Sequence, residues 1–176
     1  MSSDDDLCMI KTAVVAAGVM AMGFFRRDIR TWSKENASPV TEADLVVDRF
    51  LMQALRAARP DYGWLSEETA DDPNRLARRR VFIVDPIDGT RGFIRGDDSW
   101  TVCIGVVQDG VSVAGVVYAP ARDELYEAAR GQGARLNGKL LPTTCSGHQP
   151  PILPAPEAVH RLLEETGLAY RRGPSL

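Results

Sequence analysis

Cysteine is scarce in this chain of 176 residues: Cys8, Cys103 and Cys145 are odd in number, far apart and at no metal-ligand spacing. A disulfide framework is thereby excluded, and reduced thiols in a cytoplasmic protein are expected. Positive charge is not in excess either, since 21 Lys and Arg against 24 Asp and Glu leave a formal charge of −3. Proteins that grip a nucleic-acid backbone carry a basic stripe, and none is visible, so no nucleic-acid polymer is expected as partner. An anionic substrate would have to be attracted by metal ions or local arginines. The longest uncharged run, Thr12 to Phe25, is too short to span a bilayer and contains Gly and Ala throughout, so no membrane span is expected. The acidic start, Asp4 to Asp6, is wrong for a secretory signal. Internal repeats and low-complexity tracts are also missing.

What is present is enough apolar material, 44% of residues, for one good core. Residues 4–29 read as a long buried helix with an acidic first turn and Arg26 and Arg27 near its other end. Trp32 to Pro39 reads as a polar connector. Thr41-Glu42-Ala43-Asp44 fits a capping box opening a second helix, with Val47, Leu51 and Leu55 on one face until Pro60. Tyr62 to Ser66 is a short strand candidate, and Thr69–Arg80 a charged surface loop. Trp100–Val107 and Val111–Ala119 form a hairpin across Asp109-Gly110, and Glu124–Ala129 with a turn at Asn137-Gly138 extends it into an antiparallel meander. Helices first and strands after give α+β or layered α/β architecture. Residues 1–141 are expected to form the principal domain, 142–156 a Pro-rich linker, and 157–176 the start of an incomplete α/β domain, including a helix from Pro156 to Thr166.

The stretch Val81–Gly92, VFIVDPIDGTRG, organises the rest. Its β-branched run reads as a core strand, after which Pro86 blocks further ladder or helix and Gly89 permits a turn. Asp85 and Asp88 brought together at that turn repel each other unless a cation lies between them, and hard oxygen ligands select magnesium, manganese or calcium. Gly89 and Thr90 offer backbone N–H groups and a hydroxyl that suit a phosphate. The alternative is a tight turn whose aspartates cap exposed amides. Asp44 is likewise either a helix cap or a carboxylate aimed at a site, and Glu67-Glu68 are either solvated or neutralised by a cation.

Taken together, Trp64-Leu65-Ser66-Glu67-Glu68, Val84-Asp85-Pro86-Ile87-Asp88-Gly89-Thr90 and Ser38-Pro39-Val40-Thr41-Glu42-Ala43-Asp44 resemble the lithium-sensitive, magnesium-dependent phosphatase superfamily. It contains inositol monophosphatases, fructose bisphosphatases and 3′(2′),5′-bisphosphate nucleotidases. The resemblance covers roughly residues 10–141 and implies a layered α/β/α/β/α sandwich. It implies that Glu67, Asp85 and Asp88 bind two or three Mg2+ ions, or Mn2+, through carboxylates, and Ile87 through its carbonyl. Asp44 and Thr90 would orient the attacking water, and the Gly89 and Thr90 amides would hold the phosphate. Arg91 sides with the bisphosphate nucleotidases, whereas Gly92 matches neither they nor the monophosphatases; an exposed arginine with no ligand is the alternative for Arg91. The implied activity is hydrolysis of adenosine 3′,5′-bisphosphate. Inositol monophosphatase activity, or a non-catalytic metal- and phosphate-binding remnant, are the alternatives. Such enzymes are often homodimers. One feature departs from the superfamily: its further Trp-Asp motif has no counterpart, because the tryptophans are Trp32, Trp64 and Trp100 and no aspartate follows Asp123.

Overall fold

Small apolar residues let the first helix lie close to a sheet. α1 (Ser3–Met22) presents Ile10, Val14, Ala17 and Ala21, all fully buried, and the computed structural model describes residues 3–33, 38–142, 152–153 and 171–172. α1 is shorter than the sequence pattern predicts. It stops at Met22 rather than reaching residue 29, and residues 23–27 turn instead, with Arg26 at φ +59°. The turn buries Phe25, whose ring packs 5.5 Å from Phe93 and 5.4 Å from Trp100. β1 (Thr31–Ser33) and β2 (Pro39–Thr41) then pair antiparallel inside the stretch expected to be a plain connector.

α2 (Glu42–Ala58) starts where the capping box predicts. Thr41 Oγ1 accepts from the Ala43 and Asp44 amides, and the Asp44 carboxylate accepts from the Thr41 amide at 2.8 Å. Val47, Leu51 and Leu55 are buried on one face as their spacing requires.

The remaining strands form one seven-stranded sheet in the order β3 (Gly63–Ser66), β4 (Arg80–Asp88), β5 (Thr101–Gln108), β6 (Val111–Ala119), β7 (Glu124–Ala129), β8 (Ala134–Leu136) and β9 (Lys139–Leu140). All neighbours are antiparallel except β3 and β4, which are parallel, so the sheet is mixed rather than wholly a meander. Parallel neighbours need a crossover, supplied here by residues 67–79 with a 3₁₀ turn at Pro73–Ala77. The Asp109-Gly110 and Asn137-Gly138 turns both take positive φ at both residues, the conformation that matches strand twist in two-residue hairpins. Phe82, Val84, Val102, Ile104, Val106 and Val116 point towards α1 and α2 to form the core, which makes the architecture layered α+β. No helix among the described residues is long and apolar enough to cross a membrane.

Charged groups tie the layers at one end. The Asp6 carboxylate, fully buried in the first turn of α1, accepts from Arg80 Nη1 at 2.6 Å and from the Tyr62 hydroxyl at 3.0 Å. A buried charge with two or more donors is tolerable where a lone one would not be.

The chain divides into two units, Met1–Leu141 and Pro142–Leu176. In the second, β10 (Ile152–Leu153) pairs in parallel with β11 (Arg171–Arg172). The helix expected from Pro156 to Thr166 lies outside the described residues.

Candidate active site

In a regular strand, residues three apart face opposite sides, so Asp85 and Asp88 should diverge. They do not, because β4 carries one extra residue. Asp85 stands opposite Cys103 and Asp88 opposite Thr101, so three steps on β4 match two on β5. Cys103 and Thr101 share a face, with Sγ and Oγ1 3.2 Å apart, and the bulge therefore delivers both aspartates to that face. Pro86, which lacks the N–H a ladder needs, sits inside the bulge. The strand continues through Pro86 to Asp88 rather than ending at Asp85 as the sequence reading has it, and the turn comes at Gly89.

Gly89 has φ +91°, and a Cβ there would lie 2.8 Å from the Ser99 carbonyl oxygen. Only glycine fits both demands. The chain then enters α3 (Thr90–Arg95), a one-and-a-half-turn helix that the sequence reading does not contain. Phe93 anchors it, edge-on to Trp100 at 4.7 Å.

Asp44 reaches this turn from α2. Its Oδ2 stays on the Thr41 cap, while Oδ1 accepts from the Thr90 hydroxyl at 3.2 Å. One carboxylate thus caps α2 and also contacts Thr90. The Thr90 hydroxyl also lies 3.0 Å from the Ile87 carbonyl oxygen, and it has one proton for the two acceptors. Burial pushes the Asp44 carboxyl above its ordinary range, although the hydrogen bonds from Thr41 and Thr90 work against that.

Glu67 follows β3, and its amide donates to the Val84 carbonyl at 3.2 Å, which places it beside the end of β4. Burial, then the negative charges of Glu67 and Asp88, push the Asp85 carboxyl up to about 8. A side-chain hydrogen bond with Glu67 adds to that rise. Cys103 feels the same field, its thiol raised to about 11 by burial and by the charges of Asp88 and Asp85. Glu67, Ile87, Asp88, Gly89, Thr90 and Arg91 line a common cavity of about 240 Å³, closed on another side by Ser38 and Pro39.

Whether a cation fits can be judged from this arrangement. Among the described residues, no three Asp, Glu, His or Cys side chains converge tightly enough to hold a metal ion as they stand. In kind the donors suit a divalent ion: they are hard oxygen ligands, and burial followed by the charges of Glu67 and Asp88 disfavours the ionised form of Asp85, a cost that a cation would offset. They fit in chemistry, with Asp85 having to give up its proton and turn from Glu67.

One supporting residue escapes the sequence reading. Asp48, one turn beyond Asp44 on α2 and almost fully buried, accepts from the hydroxyls of Ser66 and of Thr69, the latter at 2.6 Å. It pins both sides of the Glu67-Glu68 loop. The signal was available: a second acid four residues after Asp44 on a helix face that is otherwise apolar.

The inositol monophosphatase family model matches residues 4–172. The chain belongs to the inositol monophosphatase family. Histidinol-phosphatase of Chlorobaculum parvum is 40% identical over 134 residues, covering 76% of this chain and 51% of that protein. The 3′(2′),5′-bisphosphate nucleotidase CysQ of Escherichia coli is 42% identical over 103 residues, covering 57% of this chain and 41% of that protein. Among solved structures, the Thermotoga maritima IMPase superposes with a TM-score of 0.80 at 25% identity, over 96% of this chain and 66% of that one. The chain thus spans about half the length of the curated relatives it matches. Within the inositol monophosphatase family, relatives of similar identity carry different substrate names.

Proposed function

We propose that this chain carries the metal- and phosphate-binding part of a phosphomonoesterase, which converts a small phosphorylated substrate and water into an alcohol and phosphate. The observation that carries the reading is the bulge that puts Asp85 and Asp88 on one face beside Glu67 and the Asp44–Thr90 pair. Glu67, Asp85 and Asp88 would hold Mg2+ through carboxylates and Ile87 through its carbonyl. Magnesium bound there supplies the positive charge that offsets the phosphate and makes a nearby water a better nucleophile.

The chain's own groups do the positioning. With the Ile87 carbonyl engaged elsewhere, the single Thr90 proton goes to Asp44 Oδ1, leaving the Thr90 oxygen lone pairs to accept from a water. Asp44 is fixed for this by the Thr41 cap, which occupies its other oxygen. The first amides of α3 have no acceptor within their own helix, so those of Gly89 and Thr90 are available to phosphate oxygens. Arg91, exposed on the cavity rim, offers a cation to a second phosphate, which favours adenosine 3′,5′-bisphosphate as substrate.

Phosphate release from residues 1–176 with Mg2+ tests this, comparing adenosine 3′,5′-bisphosphate, histidinol phosphate and inositol 1-phosphate. The bisphosphate should turn over fastest, and Asp88→Asn should lower the rate by more than about 100-fold, beyond the loss typical of a residue that only supports a ligand. Faster turnover of either other ester reassigns the substrate, and turnover that survives chelation removes the metal reading. A second reading, binding without turnover, is favoured by the open acidic set among the described residues. Magnesium-dependent phosphate binding with no hydrolysis of any of the three esters would establish it.

A further inference from the structure

α2 carries a second acid whose place stability alone does not explain. Asp48 lies one turn beyond Asp44 and is only 5% exposed. Burying a carboxylate is costly, and among the described residues its hydrogen-bond partners are two neutral hydroxyls, those of Ser66 and Thr69, rather than a cation. Neither hydroxyl belongs to the helix. Ser66 ends β3 and Thr69 lies in the crossover that follows, so Glu67 and Glu68 are held between them.

These hydrogen bonds have a fixed direction. A carboxylate oxygen accepts and a hydroxyl has one proton, so the Ser66 proton points at Asp48 Oδ1 and its oxygen lone pairs are left for the Glu68 amide, 3.3 Å away. Thr69 donates to Asp48 Oδ2 at 2.6 Å, and the Glu67 amide is tied to the Val84 carbonyl of β4. Glu67 itself is exposed, so its side chain has little packing to fix it and takes its direction from this backbone. The same face of α2 sends Asp44 Oδ1 to the Thr90 hydroxyl at 3.2 Å. Glu67 and Thr90 both line the acidic cavity, so one rigid helix spaces its two sides.

We propose that Asp48 is a positioning residue for the acidic cavity. Through Ser66 and Thr69 it holds the Glu67 loop where Glu67 can share a divalent cation with Asp85 and Asp88, at a set distance from the Asp44–Thr90 pair. That role rests on the metal reading of Glu67, and the two can fail separately.

Magnesium affinity of residues 1–176 is measured by titration calorimetry without substrate, beside the melting temperature in EDTA. Asp48→Asn puts an amide donor where one hydroxyl needs an acceptor, and should weaken magnesium binding about tenfold, as expected of a group that orients a metal ligand. Ser66→Ala and Thr69→Ala should each weaken it too, whereas Thr69→Ser, which keeps the hydroxyl, should bind as the unmodified chain does. Asp48→Asn combined with Ser66→Ala should be about as weak as Asp48→Asn alone, since both act through one contact. Leu55→Val, a core change on the same helix, should lower the melting temperature and leave magnesium affinity unmoved. The Ser66 and Thr69 variants carry the test even where Asp48→Asn does not fold. Unchanged affinity in the hydrogen-bonding variants, or a loss that merely tracks melting temperature with Leu55→Val included, would overturn the positioning role and leave the metal reading standing. Absence of magnesium binding by the unmodified chain would overturn both.

Discussion

Gly89 joins two constraints at one atom. Its φ of +91° strains any other residue, and the 2.8 Å approach to the Ser99 oxygen leaves no room for a methyl group. The Trp100 backbone lies behind, at 3.3 Å, so neither neighbour is a flexible side-chain tip that could swing away. Gly89→Ala should therefore lower stability by about 1–3 kcal/mol, seen as a lower urea midpoint at unchanged slope. An unaltered midpoint would mean that the turn relaxes without cost. At this scale the sequence conveys residue types well and directions poorly. Asp-Pro-Ile-Asp announces two carboxylates at a turn, but Pro86 is as compatible with ending a strand as with a bulge inside one. Only pairing with Thr101 and Cys103, far along the chain, decides that the two acids share a face.

α2 shows how an element places a functional group. The capping box fixes Thr41 and Asp44 relative to one another, and that local geometry directs Asp44 Oδ1 at Thr90. Removing the cap should act on both stability and site. Thr41→Ala is expected to cost about 0.5–2 kcal/mol, with about 2–4 °C of melting temperature lost per kcal/mol in a chain of this size. Thr41→Ser should restore most of the loss, because its hydroxyl can accept the same amides. Equal melting temperatures for Thr41→Ala and the unmodified chain would show that the cap contributes nothing.

The legible elements were those whose signals are local. The capping box marks α2, Asp109-Gly110 marks the hairpin between β5 and β6, and Asn137-Gly138 marks the turn between β8 and β9. The apolar pattern of α1 runs on through Phe24 and Phe25, which makes the helix look longer than it is, whereas Phe25 leaves it to meet Phe93 and Trp100. α3 was invisible because six residues between two glycines carry no period to detect. The parallel pairing of β3 with β4 was also unreadable, since it depends on a crossover rather than a turn.

Over the whole molecule, the acidic site sets stability against function. Below pH about 3.8, the reference value, Asp85 is protonated in both the folded and the unfolded chain. From there to about 8 the folded chain keeps the proton and the unfolded chain does not, so folding takes up a proton and stability falls as pH rises. Asp44, also raised by burial, acts in the same direction. Asp71 acts oppositely, its pKa lowered by the hydrogen bond from Arg75, but that contribution is already complete above its ordinary range. The interval from pH 5 to 8 therefore leaves Asp71 out and contains the titration of Asp85. In EDTA the melting temperature should drop across it, and Asp85→Asn should flatten the slope. Magnesium binds the deprotonated site, so it should raise the melting temperature at pH 8 far more than at pH 5, by mass action on the folded state. A flat or rising profile in EDTA would mean that folding does not raise the Asp85 carboxyl, and equal stabilisation by magnesium at both pH values would mean that Glu67, Asp85 and Asp88 do not share a cation. The converse result would make the carboxylate repulsion itself the force that draws the ion in.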